Sequence, residues 1–238
     1  MISFTSSWTY PKDHGEDYPV QVNDHWRIAG HDYYCHDLEA NSTWATIVNQ
    51  RQPKMAYTDP PWNSGNAKSF RTKAGVDGPT GRDVDIQHLL TTILTPLKDL
   101  RILAYVETGL RDEKGLSTLV NTLGGVTSGV WQITYYRRRP CLIIAADFRD
   151  TPNEDHLNLN GMDDEDTPLA VFRHHLAAGT LQPGDLIVDP CAGRGLTAYS
   201  AQRAGLLALT NELHPNRVSS ALAKVAKATN HQPERQSS

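Results

Sequence analysis

Cysteine is scarce: Cys35, Cys141 and Cys191 are odd in number, widely spaced and free of any CxxC pair. That pattern indicates neither a disulfide framework nor a structural zinc site and fits a reducing, intracellular setting. Long apolar runs are missing too. Nowhere do about 18 apolar residues follow one another, and the opening MISFTSSWTYPKDHG has no charged segment leading into an apolar one. No membrane contact is expected, and the protein reads as soluble and cytoplasmic. Nor is positive charge in excess, since 23 Lys and Arg against 27 Asp and Glu leave a formal net charge of -4. Any nucleic-acid contact must therefore come from a local basic surface. No internal repeat is present.

What is there is an alternation. The 238 residues, 39% hydrophobic, are enough for one sizeable α/β domain. DYYCH (32–36), KMAYTD (54–59), RILAYVE (101–107), DLIVD and LLALTNE read as strands. Between them, LEANSTWATIVNQ, DVDIQHLLTTILTPLKDL (83–100, cut or kinked at Pro96), LSTLVNTLGGV, AVFRHHLAAG and TAYSAQRAG carry helical spacing. VWQITYY and CLIIAAD flank RRRP as a hairpin at a sheet rim. The acidic stretch 149–168 reads as loop, and the tail 230–238 as frayed. Strands alternating with helices predict a mainly parallel sheet covered on both faces, with ligands at the carboxyl ends of its strands.

Two places at such ends stand out. In DLIVDPCAGRGLTAYSA (185–201) an apolar strand ends in Asp189 and enters a Gly-rich turn before a helix. GRGLTA matches GxGxxA, in which Gly193 and Gly195 would let a nucleotide approach the backbone; alone, that signal is weak. Only about 45 residues follow Gly193, enough for roughly one more strand and two helices, so the other strands must precede it. The nucleotide-binding half thus comes last, a permuted order. Glu212, 17 residues after Gly195, ends the next strand, where a carboxylate accepts from a ribose diol. The second place is TDPPWN, Thr58 to Asn63, a stiff Pro-Pro pair between an acid and a tryptophan.

These motifs carry a resemblance. TDPPWN resembles the [DNS]PP[YFW] motif of S-adenosylmethionine-dependent amino-methyltransferases, and DPCAGRGLT resembles their cofactor loop. Their order, catalytic motif first, resembles the β group of DNA amino-methyltransferases and a permuted family of RNA adenine methyltransferases. The similarity runs from about Trp26 to Val225. It implies a circularly permuted Rossmann-like methyltransferase fold in a single domain, with residues 1–148 as catalytic half, 149–168 as acidic linker and 169–229 as cofactor half. It also implies S-adenosyl-L-methionine as cofactor and DNA as partner. Asp at position 59 points to N6 of adenine, with N4 of cytosine as alternative.

The chemistry fits the residue types. An exocyclic amine has its lone pair delocalised into the base and becomes nucleophilic as the nitrogen pyramidalises. Asp59 and a carbonyl of the Pro60-Pro61 pair would accept its two N–H bonds, the prolines fixing the carbonyl without donors of their own. Trp62 offers a face for an extruded base. The resemblance further implies Asp189 near the methionine moiety, Ala192, Gly193, Arg194, Gly195 and Thr197 along the cofactor loop, and Asp37 at the cofactor's adenine amine. Asp32 competes with Asp37 for that role, and helix capping by Asp37 is the plain reading. Arg194, Leu196 and Cys191 depart from the family's residues.

Nucleic-acid contacts are expected from Asn63, Lys68, Arg71, Lys73 and Arg82 in a loop after the motif, and from Arg137, Arg138 and Arg139 at the hairpin; a solvated loop is the alternative for each group. Phe70 is either a wedge beside the target or packed in that loop. His31, Cys35, His36, His174 and His175 lack the spacing of a tetrahedral metal site. The acidic linker is too short for a target-reading domain, which leaves RNA open as substrate and a homodimer or partner subunit open as a source of specificity. Beside the enzyme reading stand a catalytically silent cofactor-binding subunit and, less favoured by the chain order, a dinucleotide-dependent oxidoreductase. A stand-alone enzyme of this kind would suit restriction-modification.

Overall fold

A computed structural model describes residues 18–40, 43–76, 83–136, 139–152 and 156–236. Nine strands form one sheet: β1 (His25–Ile28), β2 (His31–Tyr34), β3 (Met55–Thr58), β4 (Leu103–Thr108), β5 (Val126–Tyr135), β6 (Arg139–Asp147), β7 (Leu186–Asp189), β8 (Leu207–Asn211) and β9 (Glu234–Arg235). Their spatial order is β5-β6-β4-β3-β7-β8-β2-β1-β9. The central ladder β4-β3-β7-β8-β2 is parallel, and β6, β5, β1 and β9 run antiparallel at its flanks. A mixed α/β architecture, mainly parallel with an antiparallel hairpin at one end, is what the strand–helix alternation predicted.

The helices are α1 (Thr43–Arg51), α2 (Ser64–Ala74), α3 (Ile86–Asp99), α4 (Glu113–Thr122), α5 (Thr167–Ala177), α6 (Leu196–Ala204) and α7 (Pro215–Thr229). The pleat explains how they are shared out. Along β3 and β4, Met55, Tyr57, Leu103 and Tyr105 face one side, where Phe172, Ala198, Ala201, Val218 and Leu222 of α5, α6 and α7 pack on them. Ala56, Ala104 and Val106 face the other, beneath Trp44, Val48, Leu90, Ile93, Leu94, Leu116 and Val120 of α1, α3 and α4. Strands buried on both faces are written as apolar runs: Leu103, Ala104, Tyr105 and Val106 of β4 are buried, and the polar Glu107 and Thr108 are buried at its carboxyl end.

Crossovers leave β3 and β7 toward opposite faces: α3 leads from β3 to β4, and α6 from β7 to β8. The gap between the carboxyl ends of β3 and β7 is therefore the switch point, where no crossover covers the sheet.

Four expectations need correction. The stretch after TDPPW is a helix, α2, its start capped by the Asn63 side chain accepting from the Asn66 amide at 2.9 Å and its end by Gly75 at φ 73°. Its weak apolar face hid it from periodicity, whereas its caps were readable. Pro96 does not cut α3, which runs through it to Asp99. The acidic segment is not a free loop: Met162 O accepts from Thr134 N, Thr134 O accepts from Asp164 N, and Gln132 bonds Gly161 and Asn160, so it borders β5. Leu159 and Asp164 are buried there. The tail does not fray before residue 236, because Glu234 and Arg235 pair with Arg27 and Trp26 as β9, and the Arg235 guanidinium bonds Asp24. Among the described residues no helix is long and apolar enough to cross a membrane.

Candidate active site

At the switch point a cleft of about 520 Å³ opens. Asp59 follows β3, Asp189 ends β7, Glu107 is the penultimate residue of β4 and Glu212 follows β8, so four neighbouring strands each deliver one carboxylate to its wall. Pro60, Pro61, Trp62, Ala192, Gly193, Arg194 and Thr197 line the same cleft. The two motifs, some 130 residues apart in sequence, are thus brought together because β3 and β7 are hydrogen-bonded neighbours.

Asp59 is held by its own motif. The Trp62 indole donates to Asp59 Oδ1 at 2.9 Å, and the Trp62 ring meets Tyr135 edge-on, centroids 5.1 Å apart. Burial pushes the Asp59 carboxyl up to about 7; the Trp62 bond opposes the rise, nearby Asp189 and Asp164 add to it, and Arg217 opposes it. Burial likewise raises Asp189 to about 7, against the Thr197 hydroxyl and the Cys191 amide, whose N–H donates to Asp189 Oδ1 at 3.0 Å. Glu212 is raised by burial, with Arg217 and the His214 and Gly193 amides favouring its ionised form. Its Oε2 accepts from Gly193 at 2.8 Å and its Oε1 from His214 at 2.9 Å, which ties the Gly-rich turn to the end of β8.

The two glycines of the turn do different work. Gly193, at φ 54°, has nothing within 4 Å of where a Cβ would stand, so its side toward the cleft is open. At Gly195, φ 80°, a Cβ would come within 2.5 Å of Ala221 Cβ. That glycine lets α7 pack against the start of α6.

Several sequence-derived roles change. Arg71 is buried, 4% exposed, and grips Asp37 with two nitrogens at 2.6 and 2.9 Å and Glu39 at 3.1 Å. It is an internal counter-ion and not a phosphate-facing cation. Asp37 lines the cleft with this ion pair already made. Asp32 is fully buried among His25, Arg27 and Arg51 and does not line the cleft. Lys68 pairs with Asp83 at 2.9 Å, and the Asn63 oxygen caps α2. Lys73 and Arg139 are exposed and line the cleft. Phe70 is half-buried and lines the cleft, with the Arg217 guanidinium over its ring at 4.6 Å. Arg82, Arg137 and Arg138 lie outside the described residues. His31 bonds Gln202 and the Ala208 amide, and His175 bonds Tyr105 and Thr180.

Sequence reasoning passed over Tyr57, Glu107, Tyr135, Asp164 and Arg217, all of which line the cleft. An acid closing the apolar run of RILAYVE was a readable sign for Glu107. Nothing in the acidic stretch singled out Asp164, whose Oδ1 accepts from the Tyr136 amide at 3.1 Å.

No family model matches the chain, and no curated protein matches it. Solved structures do. TTHA0409, a candidate DNA modification methylase of Thermus thermophilus in complex with S-adenosyl-L-methionine, superposes with a TM-score of 0.57 at 14% identity, over 83% of this chain and 93% of that one. The M1.HpyAVI complex with SAM gives 0.52 at 15% identity, over 81% and 97%. PvuII DNA methyltransferase, cytosine-N4-specific, gives 0.55 at 11% identity, over 82% and 86%. At such identities the likeness establishes a shared fold.

Proposed function

We propose that this chain is an S-adenosylmethionine-dependent DNA methyltransferase that modifies the exocyclic N6 amine of adenine, working as one domain. The observation that carries the reading is the meeting of Asp59 and Asp189 at the carboxyl ends of adjacent parallel strands, one bringing DPPW and the other the Gly-rich turn. The neighbours support it: two of them hold the cofactor, and one is a DNA methyltransferase.

The residues present fit the cofactor. Gly193 lines the cleft with nothing within 4 Å of where a Cβ would stand, the Glu212 carboxylate on the same wall is an acceptor group suited to a ribose diol, and a wall of carboxylates suits a cation. Asp189, Ala192, Arg194, Gly195 and Thr197 would complete its holder, with Asp37 toward the adenine. Bound there, S-adenosylmethionine supplies a methyl group activated by its sulfonium.

The chain's own residues prepare the amine. Ionised Asp59 and a carbonyl of the Pro60-Pro61 pair accept the two N–H bonds and stabilise the charge that develops as the nitrogen pyramidalises. Trp62 fixes Asp59 in place. Because Asp59 titrates near 7, it is poised as an acceptor at neutral pH. Trp62, Tyr135 and Tyr136 offer aromatic surface to an extruded base, and Lys73 and Arg139 offer charge to its phosphates.

A second reading, N4 of cytosine, is favoured by the likeness to the PvuII enzyme and uses the same residues. Nucleoside mass spectrometry after incubation with S-adenosylmethionine and unmethylated DNA, with RNA in parallel, tests both. N6-methyladenine in DNA, absent with Asp59→Ala, is expected. N4-methylcytosine would move the base, product in RNA alone would move the substrate, and no methylated nucleoside despite cofactor binding would favour a silent subunit.

A further inference from the structure

Glu107 has no part in the chemistry above, yet it is among the most deeply buried acids in the cleft, 3% exposed. Its position is set by register. Thr58 pairs with Val106 across parallel strands β3 and β4, so Asp59 and Glu107 are the next residues on neighbouring strands, which lie about 4.8 Å apart in such a sheet. Glu107 Oε1 accepts from the Tyr57 hydroxyl at 2.7 Å. Oε2 is buried with no hydrogen-bond partner, an arrangement that costs stability unless a ligand completes it.

The surroundings decide the protonation state. Burial and the charges of Asp59, Asp164 and Asp189 push the Glu107 carboxyl well above its ordinary range, and only the Tyr57 bond opposes them. With Oε1 occupied as an acceptor, the proton of the neutral acid sits on Oε2.

We infer that Glu107 selects the base: its Oε2–H donates a hydrogen bond to the ring nitrogen next to the exocyclic amine, while Asp59 accepts from that amine. This rests on the proposed methyl transfer and names what the same site reads. Adenine (N1 beside N6) and cytosine (N3 beside N4) both present an acceptor next to a donor. Thymine presents the reverse, N3–H beside O4, as does guanine at O6 and N1–H, and either edge would leave Glu107 and Asp59 mispaired in a buried site. The pair therefore admits both amino bases, and cleft shape must choose between them.

The test compares the methylated base with its deaza analogue in the same oligonucleotide: 1-deazaadenine if the product is N6-methyladenine, 3-deazacytosine if it is N4-methylcytosine. The wild type should lose roughly 10- to 100-fold in kcat/KM on the analogue. Glu107→Gln, which keeps a donor, should retain that discrimination and lose the alkaline fall in kcat/KM that deprotonation of Glu107 imposes. Glu107→Leu should treat base and analogue alike. Equal rates on both by the wild type, or an inactive but folded and cofactor-binding Glu107→Gln, would overturn the inference while leaving the methyltransferase reading intact. The wild-type and Gln comparisons stand even where Glu107→Leu does not fold. A wild type that methylates nothing removes the proposed function and this inference with it.

Discussion

The Trp62 indole N–H donates to Asp59 Oδ1 across 2.9 Å, so the last residue of DPPW is bonded to the first. The tryptophan bond favours the ionised carboxylate against burial. Trp62→Phe keeps the aromatic surface and removes the donor. The Asp59 pKa should then rise from about 7 by about one to two units, since a bond to a charged group is worth about 1.5 to 3 kcal/mol. The acidic limb of the pH–rate profile for methyl transfer moves to higher pH, and an unmoved limb would dissociate Trp62 from Asp59.

Glu212 should carry cofactor affinity. Glu212→Ala removes the ribose acceptor and unties Gly193 from the end of β8, weakening S-adenosylmethionine binding by roughly 1 to 3 kcal/mol in calorimetric titration. Glu212→Gln, which keeps one acceptor oxygen, should fall between. Unchanged affinity in both would confine Glu212 to a structural role.

The cleft has a pH-dependent cost. Asp189 is 2% exposed, and its folded pKa of about 7 stands above the ordinary 3.8. The folded state therefore binds the proton more tightly. Stability is full below the unfolded value and is lost as pH rises through about 7. Asp189→Asn should be more stable than the wild type at pH 8 by up to about 4 kcal/mol in urea unfolding, with the gap narrowing toward pH 5. A gap independent of pH would show that Asp189 does not titrate this way.

Two arginines separate structure from contact. Arg71→Met removes the buried guanidinium that pairs with Asp37 and Glu39, so it should cost about 3 to 5 kcal/mol of stability. Arg139→Ala, at an exposed position on the cleft, should leave stability within about 0.5 kcal/mol and reduce the salt dependence of DNA binding by about one phosphate contact. Urea unfolding and salt-titrated binding check the pair together.

Asp59, Asp189, Gly193 and Glu212 were legible in the sequence because each belongs to a local motif: a strand end followed by a turn whose composition states its geometry. The alternation of strands and helices likewise predicted the parallel sheet, since strands buried on both faces must be written as apolar runs. Other features were set by partners distant in the chain. Arg71 reads as a loop cation until α2 forms and turns it inward onto Asp37 and Glu39. Glu107 reads as the acid closing a strand until the β3–β4 register sets it beside Asp59. The acidic stretch reads as solvated until its backbone borders β5 and buries Asp164. Local propensity fixes what a segment becomes, whereas burial and pairing, which set charge state and exposure, depend on which distant strands lie side by side. The strand–helix alternation and the two motifs are therefore written locally in the chain, whereas α2, β9 and the gathering of four carboxylates in one cleft depend on tertiary structure.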